Sequence, residues 1–433
     1  MNETKMRLTP EQQEILDGKK GEVLSKVMRT LVQYGALFGA KSMEKVTGKY
    51  NHLVTSFGLK ALTPVYALMD KLIDSGALSG QQFSADPRPL DKNVPSSFLQ
   101  NMVFKHFMYS QQENYEKQLQ KLGLMDDDAF TCTCYLPEVG NVPKMGDVLS
   151  WSESSAVVYA NSVLGARCNR NSGIIDLMGS VVGHVPKFGL LTDEGRLATW
   201  KIEVKTSKKP EAQLLGSCIG MKVMEDVPYI TGLDKYFPAL DDDAKSYLKD
   251  FGAATASNGA VGLYHVEGLT PEAVQHGESL LKEGYRTFVV TDEILQQTYD
   301  NYPIVWKNKG AKPKLCFMGC PHMTLHQLVD WTHKVDEALK EAGNRQVLIP
   351  TVFTASPAVI KAFKELPEAR VLENTGVVLS YICPLMYMNN PLSGKMPVIT
   401  SSNKLRTYTT SRYYTDDEIL LQITRGGKKH ENL

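Results

Sequence analysis

The segment from Trp151 to Arg170, WSESSAVVYANSVLGARCNR, loads Glu153, Asn161, Arg167, Asn169 and Arg170 onto one short apolar helix and its exit. A helix that only packs has no use for this cargo, because large polar groups are costly to bury unpaired. Ser152 is expected to cap the first turn, Glu153 to sit at its positive dipole end, and Gly165 to mark the change to a loop. The loop then delivers two arginines and an asparagine to one place. Arginine forks match carboxylate and phosphate geometry, so the stretch reads as an anion-binding floor beside a fixed acid. The competing reading, a buried helix with a satisfied polar rim, gives these residues no chemistry.

Seven scattered cysteines do not resemble a secreted disulfide framework. Three of them share a context. Cys132 follows an expected strand ending, Cys320 lies in Gly319-Cys-Pro-His322 between a strand and a helix, and Cys383 follows the apolar run 377–382. Doubly wound sheets place their sites at such strand exits, and a helix N-terminus stabilises a thiolate there. Three thiolates from distant segments can hold an iron–sulfur cluster and leave one iron open as a Lewis acid. Without a CxxC pair the spacing fits three buried thiols better. Cys218 and Cys316 read as core residues.

The elements that must position these residues change character along the chain. Thr9-Pro-Glu-Gln12 reads as a capped helix start, followed by apolar positions at roughly helical spacing from Ile15 to Leu37. Further helices are expected over Leu59–Leu78 and Phe98–Leu122, which makes the opening part (1–125) mainly helical. Residues 126–259, with a strand at Ala198–Val204, form a first α/β unit carrying the Trp151–Arg170 motif. From Ala260 strands and helices alternate: 260–266 then 270–282, 286–290 then 292–299, 314–318 then 324–342, 346–350 then 356–366. This order predicts an α/β fold with doubly wound, mostly parallel sheets, the last unit (260–425) carrying Cys320 and Cys383 and a flexible tail at 426–433. The acidic triplets 126–128 and 241–243 read as solvated loops or helix starts.

At 433 residues, 42% hydrophobic and 22% charged, the chain has the composition of a soluble enzyme of two or three units. Its 48 basic residues balance 48 acidic ones, which removes a global argument for binding nucleic acid or membrane. No apolar run reaches spanning length and the N-terminus lacks a secretory layout, so a cytoplasmic location is expected. Neither a GxGxxG after a strand nor a P-loop appears, which weighs against a nucleotide-binding enzyme.

The Trp151–Arg170 segment closely resembles the signature of the aconitase X family's large, catalytic subunit, and the likeness runs through Cys132-Thr-Cys-Tyr-Leu136, Gly262-Leu-Tyr-His-Val-Glu267, Met318-Gly-Cys-Pro-His322 and Ile382-Cys-Pro384. It is weakest over 50–94 and after Tyr387. The resemblance implies an aconitase-like fold, an iron–sulfur cluster on Cys132, Cys320 and Cys383, and a small swivelling domain, either fused or present as a partner subunit in a heterodimer. Two positions depart from the family pattern: Cys134 stands where proline is usual, making it an alternative ligand, and Cys168 where threonine is usual, beside the site.

Dehydration needs a base for a carbon-bound proton and an acid or metal for the departing hydroxide. On this resemblance Glu153 is the leading candidate for substrate contact or proton handling. Asn161, Ser162 and His265 join it as catalytic candidates, with His322 next. His52, Ser56, Arg167, Asn169 and Arg170 are the expected substrate-binding residues. The family's activities are dehydration of phosphomevalonate and of cis-3-hydroxy-L-proline, and its base is expected from a serine of the swivelling domain. A non-catalytic iron- or redox-sensing protein on the same scaffold is the alternative, which the acid and the two arginines weigh against.

Overall fold

The computed structural model describes residues 6–427. Beyond Gly427 the expected tail lies outside the described residues. The first helix, Pro10–Leu16, carries the expected capping box, with Thr9 accepting from the Gln12 amide and Gln12 returning to the Thr9 amide. The apolar repeat does not continue as one helix. The turn at 18–21 separates it from Glu22–Leu37, and Leu37 points to solvent. Thr63–Asp74 forms within the second expected span. The third is interrupted into Phe98–Val103, a wider π turn at Phe104–Met108, and Gln112–Leu122. That interruption brings the Tyr109 hydroxyl to the Met386 carbonyl, 2.7 Å away, beside the Cys383 turn.

Four short strands join this helical layer: β1 (Met43–Lys45), β2 (Asn51–Leu53), β3 (Phe83–Ala85) and β4 (His184–Pro186). β2 and β3 run parallel, with His52 opposite Ser84, while β1 and β4 are antiparallel. Single bridges tie His52 to Trp151 and Ala85 to Phe130. Residues from the weakly recognisable N-terminal part are thereby placed against both the Glu153 and Cys132 segments.

The second layer is a four-stranded parallel sheet made by β5 (Ala198–Val204), β6 (Pro228–Thr231), β7 (His265–Val266) and β8 (Leu281–Val290), in the order β7-β6-β5-β8. It crosses residue 260, so the expected division of the two α/β units at 259/260 does not coincide with a sheet boundary. β5 and β8 pair directly across that position. The third layer contains β9 (Leu315–Met323), β10 (Thr351–Ala355), β11 (Val378–Ser380), β12 (Val398–Thr400) and β13 (Arg412–Tyr413), ordered β11-β10-β9-β12-β13 and again all parallel. β10 starts after Pro350, not at Gln346; proline has no N–H to give to a ladder. The helix expected over 270–282 ends at His276 because β8 begins at Leu281.

One continuous core joins both large sheets through the helices Ser154–Ser162, Ala212–Val223 and Asp242–Asn258. The last is capped by Asp241, and Asp126 accepts from the Asp128 amide in an exposed turn, so both acidic triplets serve local structure. The helix Gly173–Val182 begins directly against the loop after β2: a Cβ on Gly173 would lie 1.5 Å from the Val54 carbonyl oxygen. Gly173→Ala is therefore expected to displace the 54–56 loop and cost ~3 kcal/mol, the upper range for overpacking. Thermal unfolding checks this, and a melting temperature equal to the wild type's would contradict it.

Candidate active site

Glu153 is itself the N-cap of Ser154–Ser162, a correction to the expectation that Ser152 caps this helix. The Glu153 Oε2 accepts from the Ala156 amide and the Ser155 hydroxyl, each at 2.6 Å. Ser152 instead accepts from the Val54 amide at 2.8 Å and binds the motif to β2. The remaining carboxylate oxygen accepts from Lys404, whose Nζ also lies 3.1 Å from the Ser155 hydroxyl. Both side chains of the ion pair are only 7% exposed. Burial opposes both charges, but their mutual attraction prevails. The Glu153 carboxyl is held below its ordinary range and the Lys404 ammonium above its own.

Lys404 rides on the helix Asn403–Tyr408, which Ser402 caps through the Leu405 amide. The Ser402 hydroxyl also donates to the Cys320 carbonyl, and Asn403 clasps Gln213 through two hydrogen bonds at 3.0 and 2.9 Å. The ammonium is thus fixed next to the cysteines; its charge acts on both Cys132 and Cys320.

Of the three cysteines expected at strand exits, Cys383 follows β11, Cys132 follows an isolated bridge, and Cys320 lies within β9, at a bulge. β9 bulges between its pairings at Met318 and Met323, releasing Gly319-Cys-Pro-His322 from the ladder. Gly319 adopts φ +94°, and a Cβ there would meet the Thr354 carbonyl oxygen at 2.3 Å. Cys383 caps Pro384–Met388 just after β11, and Cys132 follows the bridge at Phe130. Cys320 lies within electrostatic reach of both Cys132 and Cys383. Cys134 points elsewhere, toward His52. Burial pushes the Cys132, Cys320 and Cys383 thiols up. A polar cavity of about 270 Å³ borders Cys320, Gln213, Lys249 and Ser402.

A second charged pair faces this group. His52 Nε2 stands 3.4 Å from Asp86 Oδ1, and neither atom closes a hydrogen bond. His52 Nδ1 is fixed 2.9 Å from the Ser84 hydroxyl across the parallel pair. Burial works against a charged imidazole, yet the Cys134 sulfur and Asp86 carboxylate push His52 up to about 10. Burial, reinforced by the Glu153 charge and opposed by His52, pushes Asp86 up to about 6. Tyr135 stacks on Tyr159 with ring centroids 3.9 Å apart, and its buried hydroxyl has no hydrogen-bond partner among the described residues. Ser56 is buried by the Tyr66 and Tyr115 hydroxyls, next to Phe57 at φ +53°.

The other expected site residues divide. Asn161 donates to the Cys168 and Gly262 carbonyls and accepts from the Cys168 amide and Arg196, which occupies its amide in scaffold contacts. Ser162 accepts from the Tyr264 amide. His265 lies 2.9 Å from the Arg196 carbonyl and 3.7 Å from Glu272, with burial pushing it down to about 4. Asn169 binds the Phe188 carbonyl and the Leu190 amide. Arg167 pairs with exposed Asp193 and the Leu191 carbonyl. Among the described residues Arg170 donates to the Ala256 carbonyl at 3.4 Å, and the Tyr408 and Glu153 charges reach it. Lys404, Asp86 and Tyr135 join the group without having been singled out from the sequence.

Parallel sheets that gather thiols, a buried ion pair and an imidazole–carboxylate pair at their strand exits define an α/β enzyme. The chain belongs to the aconitase X family: the family models for the aconitase X first and second domains match residues 5–194 and 198–300. It is 30% identical to the phosphomevalonate dehydratase large subunit of Thermococcus kodakarensis, over 94% of this chain and 95% of the relative. The Methanocaldococcus jannaschii protein of the same name is 29% identical over 94% and 96%. The cis-3-hydroxy-L-proline dehydratase of Pseudomonas aeruginosa is 26% identical over 93% of this chain and 66% of its own length. In three dimensions the chain is similar to the crystal structure of Thermococcus kodakaraensis aconitase X in its holo-form, with TM-score 0.78 and 27% identity, covering 96% of this chain and 100% of that one.

Proposed function

We propose that this chain is the large component of a dehydratase that eliminates water from a small anionic hydroxy acid, phosphomevalonate in preference to cis-3-hydroxy-L-proline. The observation that carries this reading is the buried Lys404–Glu153 pair set beside Cys132 and Cys320, a fixed positive charge next to a set of soft metal donors. The substrate preference is supported by similarity: the phosphomevalonate dehydratase large subunits are 28–32% identical and the hydroxyproline enzymes 26–27%.

In this reading Cys132, Cys320 and Cys383 hold an iron–sulfur cluster. The donor set fits, since three thiols on separate turns share one electrostatic neighbourhood and the His322 amide points at the Cys132 sulfur, 3.3 Å away. Among the described residues no three His, Cys, Asp or Glu side chains converge closely enough to chelate a lone ion. When bound, the cluster supplies a Lewis-acidic iron for the leaving hydroxyl.

Lys404 then offers its charge to the substrate's anionic group while Glu153 keeps that charge in place. Held ionised by three donors, Glu153 is a weak base. In this reading a serine of a small swivelling subunit takes the carbon-bound proton, and that subunit also closes the site against water. On this chain Asp86, 3.4 Å from His52, within electrostatic reach of Cys383 and pushed up to about 6 by burial, is the candidate to deliver a proton to the departing hydroxide. Among the described residues no helix is long and apolar enough to cross a membrane.

Anaerobic reconstitution with iron and sulfide, followed by mixing with the small subunit and mass-spectrometric detection of dehydrated product, tests the reading. Turnover of phosphomevalonate only in the presence of the small subunit is expected. Failure of the cluster-loaded pair on both substrates overturns the assignment, and full turnover by this chain alone removes the partner from it. In the same assay Arg170→Lys is expected to lower kcat/KM by ~2 kcal/mol, the scale of a charged hydrogen bond. Arg167→Lys should change it little, because Arg167 is engaged at the surface. Equal losses in both variants would contradict this separation.

A further inference from the structure

His322 touches all three cysteine turns at once. Its side chain is fully buried, with Nδ1 3.0 Å from the Thr131 hydroxyl and Nε2 3.0 Å from the Ile382 carbonyl oxygen. These partners are the immediate neighbours of Cys132 and Cys383, and His322 itself closes the bulge that carries Cys320. Its backbone completes the arrangement: the amide donates to the Cys132 sulfur at 3.3 Å and the carbonyl accepts from buried Lys249 at 3.1 Å.

The partners dictate the direction of every bond. A carbonyl oxygen only accepts, so Nε2 carries a ring proton; in the neutral ring, which burial favours, Nδ1 presents its lone pair. The Thr131 hydroxyl must then donate to Nδ1. With its single proton spent, it accepts from the Thr133 amide at 3.0 Å and from the Thr133 hydroxyl at 3.1 Å. On the far side the Ile382 amide donates to Ser380 at 3.2 Å, and Ser380 donates to Asp91 at 2.8 Å. A neutral imidazole of one tautomer therefore links the 131–133 turn directly to the 319–322 and 380–383 segments, which the third layer joins to each other through β10. Each link is a buried hydrogen bond whose loss leaves a polar group unsatisfied.

We infer that His322 is a positioning residue for the three-thiol centre, holding Cys132, Cys320 and Cys383 in register before any cluster is bound. The inference rests on the proposed cluster for its purpose but not for its geometry. A general packing role would affect stability alone; a positioning role affects the thiols.

The test uses the full chain and the variants His322→Phe, which fills the space without hydrogen bonds, His322→Gln, which keeps one donor and one acceptor, and Thr131→Val, which cuts the Nδ1 arm together with the two Thr131–Thr133 bonds. In the metal-free protein, alkylation of each cysteine is followed by peptide mass spectrometry. After anaerobic reconstitution, iron content, visible circular dichroism and the half-life in a chelator are measured. For His322→Phe and Thr131→Val the expected results are faster alkylation of Cys132, an altered visible spectrum and chelator half-lives shortened at least about tenfold, with partial recovery in His322→Gln. If His322→Phe fails to fold, Thr131→Val decides. Alkylation rates, spectra and half-lives equal to wild type in the folded variants would overturn the inference. Wild-type protein that takes up no iron would instead overturn the cluster reading, while the alkylation result still judges His322.

Discussion

Replacing Cys132, Cys320 or Cys383 by serine is expected to remove bound iron and sulfide from anaerobically reconstituted protein and to lower dehydration by about a thousandfold or more. The magnitude follows from losing a Lewis acid worth several kcal/mol, at about 1.4 kcal/mol per tenfold change in rate. Folding should survive, because the thiols lie in turns or, for Cys320, at a bulge of β9, and the core continues through both sheets without them. Cys134→Ser is the discriminating control. Cys134 is fully buried and faces His52, whereas Cys132 is the sulfur that accepts from the His322 amide and feels Cys320. Its replacement should leave iron content near wild type. Iron, sulfide and visible absorbance provide the measurement; retention of the cluster in all three variants would refute the ligand set, and loss confined to Cys134→Ser would transfer the first ligand to that position.

The Cys383 turn was legible in the sequence because it ends an apolar run at a strand end, whereas the run before Cys320 could not show that β9 continues through a bulge to Met323. Lys404 was not legible. Its helix has six residues, too few to show periodicity, and one lysine among 48 basic residues looks solvated until Ser402 and Asn403 are seen pinning it inward. Asp86 was equally hidden, since the two strands that bring it to His52 have three residues each. Arg167 and Arg170 appeared equivalent because they follow a helix instead of lying on one, so their spacing carries no information about which way each points. The structure separates them by their partners, a surface carboxylate for Arg167 and the Ala256 carbonyl for Arg170, which the Glu153 charge also reaches. Asn161 shows the opposite failure. A polar residue on an all-buried helix suggested chemistry, but its amide is used to hold the loop that returns through Cys168.

The Lys404–Glu153 pair yields the second large effect, and its sign depends on which partner is removed. Lys404→Met is expected to destabilise the protein by ~3–5 kcal/mol, because the Glu153 carboxylate remains buried at the helix N-cap without its counter-charge. Glu153→Gln alone strands the ammonium and should also be costly. The double variant removes both charges while glutamine can still accept from the Ala156 amide, so stability should return to within about 1–2 kcal/mol of wild type. Activity should not return, since the proposed anion-binding charge has gone. Linkage defines the pH window. Glu153, depressed from 4.5, contributes stability that is present above that value and lost as pH falls through its folded pKa; Lys404, raised from 10.5, contributes stability present below that value and lost only under more alkaline conditions. The difference in unfolding free energy between wild type and Lys404→Met should therefore shrink as pH falls, first as the unpaired Glu153 of the variant, pushed up by burial, takes a proton, and then as wild-type Glu153 does so at lower pH. Chemical denaturation at several pH values measures it, and a double variant as unstable as Lys404→Met, or one with wild-type turnover, would show that the pair does not act as a buried, substrate-facing charge.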